Sequence, residues 1–84
     1  MKKGAQKAFI HSFTVVFEPA KEGGFIVHVP ALPGCATQGE TFEEAQANAK
    51  DAIEGYVAVM RDLNEEVPLE SEETIVSRIP AQIG

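Results

Sequence analysis

Cysteine occurs once in this chain, at Cys35, so no internal disulfide can form, and such usage agrees with a reducing compartment. No run of eighteen apolar residues is present, which excludes a helix able to span a bilayer. The start, MKKGAQKAFIH, has lysines but then alternates polar with apolar residues. The apolar core and cleavage site of a secretory signal are therefore missing, and a cytoplasmic location is expected. Two histidines and one cysteine are too few for a structural zinc site, which takes four ligands from compact pairs. P-loop, GxGxxG and GxSxG patterns are absent as well.

Basic residues are scarce and uneven. Lys2, Lys3 and Lys7 supply three of the seven, ahead of the first apolar run. From Phe9 to Gly84 four basic residues face thirteen acidic ones, a net charge of −9. A surface of that sign repels phosphate backbones, so direct binding of nucleic acid is not expected, whereas a basic protein would be steered towards it. The same charge also serves to keep a small domain soluble.

What is present fits one small α+β domain. Hydrophobic residues make up 44% and charged residues 24% of 84 positions, an ordinary globular balance. At this length folding buries roughly 60 to 65% of the accessible surface, so stability is modest or shared with a partner. A flexible basic tail is expected at residues 1–8, and a single domain over 9–84.

FIHSFTVVFE alternates with period two, which predicts a strand whose odd positions, Phe9, Phe13, Val15 and Phe17, form the apolar face with His11 among them. PAKEGG then predicts a turn. With its tip near Lys21, Phe17 falls opposite Phe25, Val15 opposite Val27 and Phe13 opposite Val29, and all six share a face. Pro30 and Pro33 interrupt the ladder, Gly34 relieves the turn, and a short third strand is expected at about Cys35 to Gln38. Thr41 with Glu44 forms a capping box that opens a helix from Phe42 to about Leu63. Its stripe of Ala45, Ala49, Ala52, Ile53, Tyr56, Met60 and Leu63 runs about 30 Å for roughly 20 residues. Gly55 within it points to tight packing or to a bend. Residues 62–73 carry six acidic side chains and Pro68, a solvated connection. TIVSRI, residues 74–79, reads as a fourth strand stopped by Pro80.

The order βββαβ predicts an antiparallel meander, one long helix packed on one sheet face, and a last strand parallel to the first. The spatial order is then 3-2-1-4, because a right-handed crossover places that strand beside the first. The uncovered face would present Ile10, Val16, Ile26 and Val76, more apolar than an idle surface requires. Self-association or partner binding is expected there or along the last strand's edge.

No catalytic or metal site emerges. Cys35 lacks a cation that would lower its pKa, since no lysine or arginine lies between Lys21 and Lys50, and Glu40, Glu43 and Glu44 oppose ionisation. A small, partly buried apolar role suits it better. His11 and His28 have opposite parity and point to different faces. No strand places two carboxylates together, so a two-metal centre has no scaffold. An enzyme using Cys35 or His28 stands as the weakest alternative.

The second strand ending in VP, followed by LPGCATQGETFEEA opening a long alanine-rich helix, resembles the N-terminal domain of HicB-type antitoxins and their HicB-like relatives. The resemblance runs from about Phe13 to Leu63. Pro33, Gly34, Thr37, Gly39, Thr41, Glu44 and Ala45, at unbroken spacing, carry it most specifically. It implies a partial RNase H-like fold without a working nuclease centre, and a protein that binds and silences a small, basic, HicA-type mRNA-cleaving toxin. A homo-oligomer, dimer or tetramer, and no cofactor are expected. Family members commonly continue into a helix-turn-helix or ribbon-helix-helix domain. This chain ends four residues after Pro80, so operator binding is not expected. Glu65, Glu66, Glu70, Glu72 and Glu73 are candidate partner contacts, in competition with a merely solvated connection. A solitary HicB-like scaffold or regulatory domain is the alternative.

Overall fold

In the computed structural model residues 11–84 are described. The expected basic tail at 1–8, with Phe9 and Ile10, lies outside them. Three strands, β1 (Val16–Pro19), β2 (Phe25–His28) and β3 (Ala36–Gly39), precede one helix, α1 (Phe42–Asp62). The sheet is antiparallel in the order β1-β2-β3.

The face parity follows the sequence, whereas the register differs by two residues. Phe17 lies opposite Val27 and Pro19 opposite Phe25, not Phe17 opposite Phe25. The cause is the turn. Ala20 accepts from the Gly23 amide and donates to the Gly24 carbonyl. Gly23 and Gly24, at φ 105° and 75°, are thereby drawn into the loop and shift its centre to Glu22. A shift of two keeps every side chain on its face.

β1 is also shorter than the alternating run, because β2 ends where Pro30 has no amide to donate. The Val29 amide instead donates to the Cys35 carbonyl (3.1 Å), and Leu32 and Cys35 close the loop through the Val29 and Leu32 carbonyls. Residues 13 to 15 therefore gain no ladder partner, yet Phe13 and Val15 still pack into the core.

α1 starts as its capping residues dictate. The Thr41 hydroxyl accepts from the Glu44 amide (3.0 Å), while the Glu44 carboxylate accepts from the Glu40 amide, one residue before the expected cap amide. The helix ends on Leu63. Asn64 adopts φ 57°, its amide reaches the Arg61 carbonyl and the Glu65 amide the Met60 carbonyl, the paired bonds of a Schellman end. α1 packs most extensively on β3 and less on β2. Asn48 reinforces this by donating its side-chain amide to the Gln38 carbonyl (2.7 Å).

Two joined clusters make the core. Val27, Ala45 and Ala49 are buried with Val15, Phe17 and Phe25 against them. Val29, Leu32 and Cys35 form the second, under Ala52, Ile53, Tyr56 and Val57. Leu63, placed on the stripe by its spacing, is exposed instead.

The fourth strand is not formed in the single chain. Residues 74–79 pair with no described strand, and Ile75, Val76 and Ile79 are 87%, 69% and 82% exposed. The order is thus β1-β2-β3 without the fourth position of 3-2-1-4. Just upstream, Ser71 accepts from the Glu73 amide on its hydroxyl and from the Thr74 amide on its carbonyl. That turn closes immediately before the segment, which continues exposed to its end.

Candidate partner interface

The strand-to-helix connection holds every residue of the HicB-like spacing, and each has a structural task. Pro33 offers its carbonyl to the Tyr56 hydroxyl (2.7 Å), tying the loop to the middle of α1. Gly34 turns the chain at φ 80°. Thr37 lies opposite Val27, half-buried. Gly39 ends β3 directly beneath Ala45, where a Cβ would overlap the Ala45 backbone. Thr41 and Glu44 cap the helix, and Ala45 is fully buried.

Leu32 is the residue that periodicity missed. It is fully buried, yet it sits between prolines in a loop, where no repeat of two or 3.6 can mark it. Burying it is worth about 1.5 to 3 kcal/mol.

Cys35 lies in the same cluster, 6% exposed, and burial pushes its thiol up from the ordinary value. The sequence had pointed to neighbouring glutamates as the cause, whereas desolvation does it. His11, ahead of β1, lines the groove beside α1, and His28 lies opposite Val16 on the open sheet face, so the two histidines do not share a site. The His28 Nε2 lies 2.9 Å from the Glu18 carboxylate, both exposed. Among the described residues no three of His, Cys, Asp or Glu are grouped to hold a metal ion.

Three surfaces stand out. The open sheet face carries Val16 and Ile26, 39% and 43% exposed, beside Glu18, His28 and Gln38. Ile10 falls outside the described residues, and Val76 is not on this face because its segment does not join the sheet.

The second surface is an open groove of about 1020 Å³ between β1 and α1. It exists because the helix sits over β3 and β2, leaving Phe13, Val15 and Phe17 incompletely covered opposite Ile53 and Val57. Val67 and Leu69 close one side, and Lys50, Glu54, Arg61 and Asp62 rim it.

The third is the acidic flank after the helix. Glu65, Glu66, Glu72 and Glu73 are exposed, as a contact surface requires. Glu70 is not among them. Half-buried, its carboxylate accepts from the Thr14 hydroxyl and the Thr14 amide, both at 2.6 Å. The hydroxyl bond, and then the amide bond, hold the Glu70 carboxyl below its ordinary value.

The model of the HicB_like antitoxin of bacterial toxin-antitoxin system matches residues 13–81. The chain belongs to this family. A UPF0150 protein of Thermoplasma acidophilum is 43% identical over 63 residues, covering 75% of this chain and 91% of that protein. A UPF0150 protein of Synechocystis is 40% identical over 67 residues, 80% of this chain and 82% of its own length. The protein named Antitoxin HicB in Escherichia coli is 41% identical over 59 residues, 70% of this chain but 43% of that protein. HicB-like membership thus places the chain with toxin-antitoxin systems, and a regulatory rather than enzymatic role accords with it. No helix among the described residues is long and apolar enough to cross a membrane.

Proposed function

We propose that the chain is a HicB-like antitoxin-type protein that neutralises a small, basic, HicA-type mRNA-cleaving toxin by protein–protein contact, without chemistry of its own. Family membership supplies the class, and one observation about this chain carries the reading further. Residues 11–84 hold thirteen acidic against four basic residues, and the flank of Glu65, Glu66, Glu72 and Glu73 is exposed. Electrostatic complementarity of that kind accelerates encounter and selects a basic partner. The role is exercised in the cytoplasm by a homo-oligomer, dimer or tetramer, with a partial RNase H-like fold and no direct contact to nucleic acid.

Calorimetric titration with a HicA-type protein tests this reading. Binding is expected to weaken as salt rises, and to weaken further when Glu65, Glu66, Glu72 and Glu73 are replaced by lysine. Absence of binding at low salt would leave the second reading, a solitary oligomeric scaffold, which the apolar Val16 and Ile26 on the open face favour.

A further inference from the structure

We propose that the outer edge of β3, with the cavity beside it, is a docking site for an extended, basic segment of another protein, which adds there as a strand and seats an apolar side chain over Gly55. The inference goes beyond the antitoxin reading and does not rest on it, because it concerns the recognition of a peptide backbone at the sheet edge away from β1. Among the described residues β3 pairs only with β2. The Val29 amide donates to the Cys35 carbonyl, so Cys35 faces β2. Alternation along an antiparallel strand then directs the backbone groups of Thr37 and Gly39 inward as well, and those of Ala36 and Gln38 outward. Asn48 confirms the direction, since its side chain reaches the Gln38 carbonyl from outside the sheet (2.7 Å). No backbone bond among the described residues takes the Gln38 amide or either backbone group of Ala36. They form a template for a further strand.

The space adjoining that template is shaped for side chains. A cavity of about 560 Å³ opens between Ala36 and the neighbouring flank of α1, with Ala52, Val59 and Met60 among its apolar walls. Val59 is 58% exposed. Gly55 lies on the same flank, and a Cβ there would meet nothing within 4 Å, so the glycine has no packing task within the chain. Its cost of about 1 kcal/mol against alanine in a helix is accounted for when a partner fills that space. The charged residues lining the cavity are Asp51 and Glu65, both acidic and both exposed. The groove beside β1 differs, because Lys50 and Arg61 balance Glu54 and Asp62 on its rim. A segment with an apolar centre and basic flanks therefore fits the β3 edge. Main-chain bonds to Ala36 hold it, the apolar side chain takes the space over Gly55, and the flanking cations meet Asp51 and Glu65.

Titration of the full chain with a fluorescent peptide of alternating threonine and valine, carrying a lysine at each end, tests this by anisotropy and NMR. The peptide should bind saturably, and the Ala36 and Gln38 amides should shift and exchange more slowly. Gly55→Leu puts a good helix former at an exposed site, so helical circular dichroism should persist while binding falls at least about tenfold. Asp51→Lys should weaken binding about fivefold at low salt, as loss of an exposed ion pair does, and a peptide ending in glutamate should bind more weakly than one ending in lysine. Neither variant touches the four exposed glutamates of the antitoxin reading, so peptide capture and toxin inhibition fail separately. The proposal is overturned by the absence of saturable binding up to about 1 mM peptide. Undiminished binding to Gly55→Leu, equal binding of the two peptides, or shifts confined to β1 and the open sheet face overturn it too.

Discussion

A methyl group at position 39 would collide with backbone, not with a side chain that can rotate away. An added Cβ there overlaps the amide nitrogen and Cα of Ala45, which is fully buried at the first turn of α1. Gly39→Ala should therefore push the helix off β3 and destabilise the chain by about 2 to 3 kcal/mol, as overpacking does. Urea unfolding measures it, and a loss under about 0.5 kcal/mol would show that the contact can relax. This glycine explains why the spacing from Pro33 to Ala45 is so characteristic. The capping pair was legible because Thr41 and Glu44 are spaced by helix geometry. The demand on Gly39 was not, because it arises from residues that meet only after β3 and α1 fold against each other. Cys35 was read correctly as a small apolar residue, though burial and not its acidic neighbours raises its pKa.

At the scale of elements, α1 was the most legible because its stripe, start and length all repeat a period. Gly55 offered two readings, tight packing or a bend, and the structure supports no packing role. A Cβ there meets nothing within 4 Å. Gly55→Ala should accordingly stabilise the chain by up to about 1 kcal/mol through helix propensity alone, seen as a higher urea midpoint; a lower midpoint would reveal a hidden contact. The hairpin's parity was legible from alternation, while its register depended on how many glycines enter the turn. The connection after α1 was the least legible. Acidic residues in a Pro-containing stretch read as solvent-facing, yet Glu70 folds back onto Thr14, a pairing across 56 positions that local pattern cannot show. With its folded value held below the ordinary 4.5, Glu70 stabilises the fold above that pH. The contribution is lost as pH falls through the lowered folded value. Thr14→Val removes the hydroxyl donor, so the Glu70 titration followed by NMR should move back up towards 4.5. An unmoved titration would mean that the amide bond alone sets it.

For the whole molecule, charge and unfinished pairing are the governing facts. The three-stranded sheet with its helix was readable from the chain, whereas the fourth strand read into residues 74–79 is not formed. Alternation alone suggested that strand, and a strand also needs a partner edge, which a local pattern does not show. The acidic balance was fully legible, since it needs only counting, but its meaning depends on which acids face outward. Four of the five named glutamates are exposed, while Glu70 is half-buried with its carboxylate engaged by Thr14. An exposed acidic surface, HicB-like membership and exposed apolar groups are the grounds for the proposal that the chain works by covering another protein. The most direct measurement is the rate at which a HicA-type ribonuclease cleaves RNA as this chain is added. The account predicts that cleavage falls to zero at a fixed stoichiometry, and that the inhibition weakens with salt in the intact chain and weakens at constant salt when the four exposed glutamates become lysine. Undiminished cleavage with the chain in excess at low salt would contradict it.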